Sequence, residues 1–350
     1  MKTENLSNRA VILILTGLCV LHFLFLLNFF APAISTPDAQ GYFTQGRIIA
    51  TQGRTFLIPE NNLQYIGPHW YSADGEKYYT TFPPGLSYLI AIAYKLFGVN
   101  SSFLVNPILA SLSLLLFFFL CRIWLSRAWA LVASFFLSIN PFYNEHALFG
   151  DAHISVIFFF LLGLVFLIRA VKRENYVYAF ISGIAMGIIP TIRYAEFVLS
   201  FISGTYILWL FYKKRIPLKV VSSFLIGILG PLIVIAVRNY LTFGNPWMTG
   251  YSLASSHALF GFNYLIGHII PFIAMLVTSG MGILFLFSIG GFIRLLKTQD
   301  TRPMGGYFLS SVVILTFLYM SYSWRVDPQS MRFLLPTFPI YTLVLSLIHI

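Results

Sequence analysis

Apolar stretches near the spanning length of about 20 residues recur along this chain. They cover residues of about 10–30, 103–121, 128–140, 152–169, 176–190, 196–212, 218–237, 280–296, 305–323 and 333–350. Most connections between them are short. One is long: residues 31–82, with little apolar periodicity until its end. Helices without a polar face need a non-aqueous neighbour, so the pattern predicts an all-α polytopic membrane protein with about ten transmembrane helices. Two further segments are apolar but ambiguous, "PPGLSYLIAIAYKLFG" (83–98) and "NYLIGHIIPFIAMLVTSG" (263–280).

Charge helps to thread the chain. With Lys2 and Arg9 in the cytoplasm and neither ambiguous segment crossing, one side collects Arg122, Arg127, Arg169, Lys172, Arg173, Lys213, Lys214, Arg215, Lys219, Arg294, Lys297 and Arg302. That side then holds 14 of the 22 basic residues, as cytoplasmic loops should. Letting 83–98 cross alone would send most of these clusters outside. The segment is therefore expected to lie on the outer surface, with Lys95 and its tyrosines at the interface. The same reading of 263–280 is weaker, because that segment is long and broken by Pro271.

Composition agrees: 58% of residues are hydrophobic and 9% charged, too apolar for a soluble domain. The net charge of +11 resides in the topology clusters and does not point to nucleic acid. The first run exceeds a signal-peptide core of about 7–15 residues and lacks a clear cleavage pattern, so it is expected to remain. Cys19 and Cys121 both fall in predicted helices, so neither a disulfide nor a zinc cluster is expected. The last run stops at "LSLIHI" without a polar tail, as a fragment would.

Acids partition the opposite way. Asp38, Glu60, Asp74, Glu76, Glu145, Asp151, Glu196 and Asp327 fall outside, and only Glu4, Glu174 and Asp300 inside. Acids contribute little to topology, so the asymmetry suggests a site. A solvated rim accounts for Glu60, Asp74 and Glu76 in mid-loop, but less well for acids at helix edges. Asp38, in "STPDAQGYF", leaves the first apolar run beside Gly41 and Tyr42. It is either a functional acid at the membrane edge or the cap of a short surface helix. The stretch "NPFYNEHALFGDAHIS" (140–155) packs Glu145, His146, Asp151 and His153 within nine positions. These could hold a divalent metal or perform acid–base work, although no strong metal motif is present. Alternatively Asp151 caps a helix while the histidines sit at the interface. Arg193, Arg238, Arg325 and Arg332 stand at outer helix ends, against the positive-inside trend. Snorkelling suits any one of them, and an anionic head group or phosphate suits all four. No nucleotide-binding glycine motif occurs, so an activated donor would have to arrive in the membrane.

These stretches resemble the GT-C superfamily of polytopic glycosyltransferases, which use polyprenyl-phosphate-linked sugars. "PDAQGYF" after the first helix is similar to that family's first external loop, with Asp38 at its acidic position. "DGEKYYTTFPPGLSYLIAIAYKLFG" (74–98) resembles its juxtamembrane paired-proline segment, and "FGDAHISVIFFFLLGLVFLIRA" (149–170) its second external loop, with Asp151 at the second acidic position. "MRFLLPTFPIYTLVL" (331–345) looks like a helix start of the same group. The protein O-mannosyltransferase and lipid A aminoarabinose transferase families resemble it best by pattern. Departures exist: Phe82 precedes the prolines where His or Lys is frequent, and Ala39 follows Asp38 where the protein mannosyltransferases have Glu.

The resemblance implies one GT-C-like domain over residues 1–350, with external loops at 31–102 and 140–151, the first carrying juxtamembrane helices. It implies inverting transfer to an acceptor hydroxyl on a protein, lipid or glycan, on the outer face of the plasma membrane. Asp38 would be the base, and Asp151 would orient a partner or hold a metal. Arg193, Arg332 and Arg238 would neutralise the lipid phosphate. Tyr42, His69, Trp70, Pro83 and Pro84 would line the cavity. A transporter or flippase and a non-catalytic lipid-binding subunit are the rivals. No internal repeat favours the former.

Overall fold

The computed structural model describes residues 6–34, 36–254, 260–323 and 325–347. Lys2 and Glu4 of the topology pattern, and the last three residues of the 333–350 run, lie outside them. The helices in order are α1 (Asn8–Asn28), α2 (Pro37–Gln52), α3 (Gly85–Phe97), α4 (Val99–Ser102), α5 (Val105–Cys121), α6 (Arg127–Ser138), α7 (Pro141–Leu148) and α8 (His153–Arg173). Then follow α9 (Tyr176–Ile192), α10 (Phe197–Tyr212), α11 (Leu218–Phe243), α12 (Phe262–Met275), α13 (Leu284–Lys297), α14 (Arg302–Met320) and α15 (Phe338–Ser346). The fold is that of a polytopic helical membrane protein. By length and composition, α1, α8, α11, α14 and the segment Phe262–Gly280 can each cross a membrane, and shorter apolar helices fill the bundle between them.

One helix is the axis. Along α8, Ile154, Ile157, Phe160, Leu161, Leu164, Val165 and Leu167 are buried, on every side of the helix. A helix apolar all round belongs inside a bundle. It packs against α5 and α9, and α9 packs in turn against α11. Glycines set that last spacing: a Cβ on Gly183 would sit 2.2 Å from the Phe224 carbonyl oxygen, and one on Gly227 2.4 Å from that of Phe180. Small residues let membrane helices approach to backbone contact, where dispersion replaces the missing hydrophobic force.

The basic clusters converge at one end of the bundle. Arg127 donates to the Leu6 carbonyl at 2.6 Å, Lys172 lies over the Trp124 ring and Lys219 over that of Tyr176. The opposite end, which carries Asp38, is the site end.

The all-α architecture carries one small addition. The first long loop contains a small antiparallel sheet in the order β1 (Phe56–Leu57), β3 (Tyr78–Thr80) and β2 (Trp70–Tyr71). Strands of two or three residues are too short to show a period of two. The ambiguous segments resolve more simply. Helix α3 has 13 residues, roughly 20 Å of helix. It packs against α2 and on the end of α9. The segment 262–280 is long enough to cross, yet both its ends meet the site end. Gly261 N–H donates to the Ser321 carbonyl, and the Gly280 carbonyl accepts from Asn140 Nδ2.

Candidate active site

Helix α2 begins at Thr36, whose hydroxyl accepts from the Ala39 N–H at 3.1 Å. Thr36 is the cap, so the capping role considered for Asp38 is corrected. Pro37 supplies the preset φ of a first turn, and Asp38 stands beside it at the positive end of the helix dipole. The helix is pinned from two sides. Tyr42 donates its hydroxyl to the Ile192 carbonyl at 3.1 Å, and Ser87 donates to the Tyr42 carbonyl at 2.9 Å. Tyr42 also stacks on Phe82, ring centroids 4.6 Å apart.

His69 arrives from the loop just before β2. Its carbonyl accepts from the Thr81 N–H, and its Nε2 lies 3.8 Å from Asp38 Oδ1. Burial lowers the imidazole pKa below its usual 6.5; the Asp38 charge opposes this and Arg332 adds to it. Burial thus favours the neutral imidazole beside Asp38.

On the facing wall, Arg193 ends α9. It donates from Nε to Glu196 Oε1 at 2.7 Å and from Nη2 to the Tyr319 hydroxyl at 3.3 Å. Tyr319 in turn donates to Glu196 Oε1 at 2.8 Å. Glu196 is fully buried, so this closed triangle fixes the guanidinium rotamer. Arg193 and Arg332 both lie over the Phe333 ring, 5.6 and 5.0 Å from its centroid. Phe333 itself stacks on Tyr319 at 4.7 Å.

Between these walls is a cavity of about 860 Å³. Asp38, Tyr42, His69, Pro83, Arg193 and Arg332 line it, together with Glu196, Tyr251, Tyr319, Tyr322 and Gln329. Burial raises the phenol pKa of Tyr251 and of Tyr322, so both are neutral hydrogen-bond donors. A carboxylate with a neutral imidazole thus faces two guanidiniums across an aromatic-walled space.

The remaining candidates fall elsewhere. Trp70 is buried in the loop, donating Nε1 to Gln40 at 3.2 Å, and Pro84 precedes the first turn of α3. Neither lines the cavity. Arg238 is buried one layer back, over Phe243 and hydrogen-bonded to Asn239, which also accepts from Tyr194. Only Tyr194 of that group reaches the cavity. Arg325 is exposed, pairing with Asp327 at 2.8 Å, and Asp327 caps the next turn by bonding Ser330.

The 145–153 cluster does not form one ligand set. His146 Nδ1 and Asp151 Oδ2 hydrogen-bond directly, and Asp151 Oδ1 accepts from the His153 N–H at 3.2 Å. The two imidazoles meet edge to face at 5.4 Å, while Glu145 turns to Gln329. Among the described residues, no three His, Cys, Asp or Glu side chains are placed to hold a metal ion. The expected four-residue metal site is thereby corrected: one carboxylate is committed to an imidazole and the other points away. This cluster lies behind Phe149 and Phe333, which are cavity walls.

Sequence reasoning missed Glu196 and Tyr319 as site residues. Glu196 carried a local signal, standing three positions from Arg193; Tyr319, 123 positions further on, carried none.

The family model of dolichyl-phosphate-mannose-protein mannosyltransferases matches residues 81–240. None of the curated proteins matches the chain. Solved structures show the fold. The chain is similar to ArnT from Cupriavidus metallidurans in the apo state, at a TM-score of 0.62 and 15% identity, over 96% of this chain and 58% of that one. The same enzyme bound to undecaprenyl phosphate aligns at 0.62 and 15%, over 97% and 60%. The archaeal oligosaccharyltransferase AglB from Archaeoglobus fulgidus, in complex with an inhibitory peptide and a dolichol-phosphate, aligns at 0.59 and 14%, over 95% and 50%. The chain thus spans half to three-fifths of these proteins. It has the GT-C fold and resembles the ArnT and protein mannosyltransferase group.

Proposed function

We propose that this protein is a membrane glycosyltransferase. It moves a hexosyl or pentosyl group, with inversion, from a polyprenyl-phosphate donor to an acceptor hydroxyl on a protein, lipid or glycan. The observation that carries the reading is the placement of Asp38 and His69 opposite Arg193 and Arg332 across one cavity. ArnT with undecaprenyl phosphate and AglB with dolichol-phosphate support a lipid-linked donor for a fold of this kind.

In this reading Asp38 accepts the acceptor proton as the hydroxyl oxygen attacks the anomeric carbon. A positioned carboxylate base contributes a rate factor of about 10²–10⁴. The bond from the anomeric carbon to the phosphate oxygen breaks on the opposite face of the sugar. The charge left on the polyprenyl phosphate falls to Arg193 and Arg332, whose guanidiniums match phosphate geometry. Tyr42 and Pro83 shape the donor side, and Asp151 acts indirectly, orienting His146 behind the wall. The basic clusters at the opposite end support a site that faces outward from the plasma membrane.

The test is sugar transfer in membranes carrying the wild type, Asp38→Ala or Asp38→Asn, supplied with a panel of polyprenyl-phosphate sugars. Turnover by the wild type alone, with donor binding kept in both variants, supports the reading. Full turnover in both variants removes Asp38 from the chemistry. No donor consumption, even when the chain is supplied with any additional segments of its native protein, favours transport instead.

A further inference from the structure

A second cavity, of about 770 Å³, opens between α10 and α14 and reaches the basic end of the bundle, opposite the site. Its mouth carries Arg215, Arg302 and Gln299, and its floor is the stacked pair Tyr206 and Tyr307, ring centroids 4.8 Å apart. Both tyrosines are buried, and Ser203 and the Tyr307 hydroxyl hydrogen-bond at 2.7 Å beneath them. The upper wall is apolar, ending at Phe201 and Ile314. From Arg302 to Ile314, α14 rises roughly 18 Å, more than half of a hydrocarbon core of about 30 Å. Arg215 and Arg302 are exposed, and neither is in an ion pair with an acid among the described residues.

We infer that this slot binds an anionic phospholipid of the leaflet at the basic end. The two arginines would hold the head-group phosphate, and an acyl chain would lie along Trp209, Thr205 and Phe201. Charge complementarity selects the head group, since basic pockets between membrane helices at the cytoplasmic side suit anionic lipids. The apolar depth selects a lipid over a soluble anion, which could occupy only the mouth. The helices that form the slot carry Glu196 and Tyr319 at their other ends. An occupant would therefore hold α10 against α14, and with them the triangle that fixes Arg193.

The experiment uses the purified, detergent-solubilised protein. It measures adducts by native mass spectrometry and melting temperature by fluorescence, with phosphatidylglycerol or phosphatidylcholine added. Phosphatidylglycerol should be retained and raise the melting temperature, with phosphatidylcholine much weaker. Arg215→Gln with Arg302→Gln should bind it about 30-fold more weakly, each cation near the surface contributing roughly fivefold. The Arg→Lys pair should retain most of the binding, which separates charge loss from misfolding. Equal retention of the two lipids, or unchanged binding in the double Gln variant, would overturn the inference. Equal stabilisation by glycerol phosphate would show that the apolar slot is unused. Tighter binding of polyprenyl phosphate would overturn the choice of occupant.

Discussion

Asp38 and Asp151 occupy matching places in the sequence: each is an acid at the site end, just outside an apolar run. Their surroundings differ completely. Asp38 lines the cavity, 3.8 Å from a half-buried His69. Asp151 is buried behind Phe149, with one oxygen committed to His146 and the other to a backbone N–H. An acid that keeps access to a cavity can exchange protons with a substrate. One whose oxygens are consumed can only hold its neighbours in place. Position beside the membrane thus nominates an acid, and the direction of its side chain decides the role.

The strongest way to break this comparison is to remove each charge in turn. Asp38→Asn should lower transfer by about 10²–10⁴ while leaving the melting temperature nearly unchanged, because its site is open and its helix is capped by Thr36. Asp151→Ala should do the reverse. Leaving the His146 imidazole and the His153 N–H without their buried acceptor costs roughly 1–3 kcal/mol for each group, read as a marked fall in melting temperature and yield. A stable Asp151→Ala protein with abolished transfer would move Asp151 into the chemistry.

Smaller effects sharpen the contrast between the two walls. Tyr319→Phe removes the hydroxyl shared by Arg193 and Glu196. Hydrogen bonds to charged groups contribute about 1.5–3 kcal/mol, so kcat/KM should fall about 10-fold or more through looser donor-phosphate placement. An unchanged value would show that Arg193 needs no such brace. His69 gives a pH signature. Its native pKa lies below 6.5, so the unfolded chain takes up protons first on acidification. Its contribution to stability is therefore present above pH 6.5 and lost as pH falls from there through the native value. Transfer should decline over the same interval as a cation forms beside Asp38, and His69→Gln should move that acid limb by a few-fold in rate at pH 6. An identical profile in the variant would assign the limb to another group. The smallest effect expected is from a metal chelator, under about twofold, because arginines face the leaving phosphate and the 145–153 side chains do not converge. A large, metal-reversible loss would reverse that assignment.

Much of the fold was legible because membrane helices announce themselves locally. The apolar runs recur as α1, α5, α6, α8 to α11, α13, α14 and α15, and the basic clusters meet at one end as the charge pattern required. The packing of 83–98 against α2, beside the site, was not legible in its charge pattern. Less of the site was legible. Asp38, Tyr42, His69, Pro83, Arg193 and Arg332 were named from sequence and do share a cavity. Arg238 showed the same outer-end signal as Arg193, yet faces Phe243 and Asn239. Trp70 and Pro84 adjoin cavity residues in sequence but turn into the loop and the helix start.

What the sequence by itself determined was the membrane class, the helices, the gathering of the basic clusters at one end and the neighbourhood of the site. These depend on composition over stretches of about 20 residues, which the bilayer reads without reference to the rest of the chain. Only the tertiary structure decided which edge residues reach the cavity. Successive residues on a helix point about 100° apart, so of two neighbouring residues only one faces the cavity, and the rotation of the helix decides which. That rotation is set by packing between distant segments: Gly183 against Phe224, Tyr42 against Ile192, Tyr319 against Glu196.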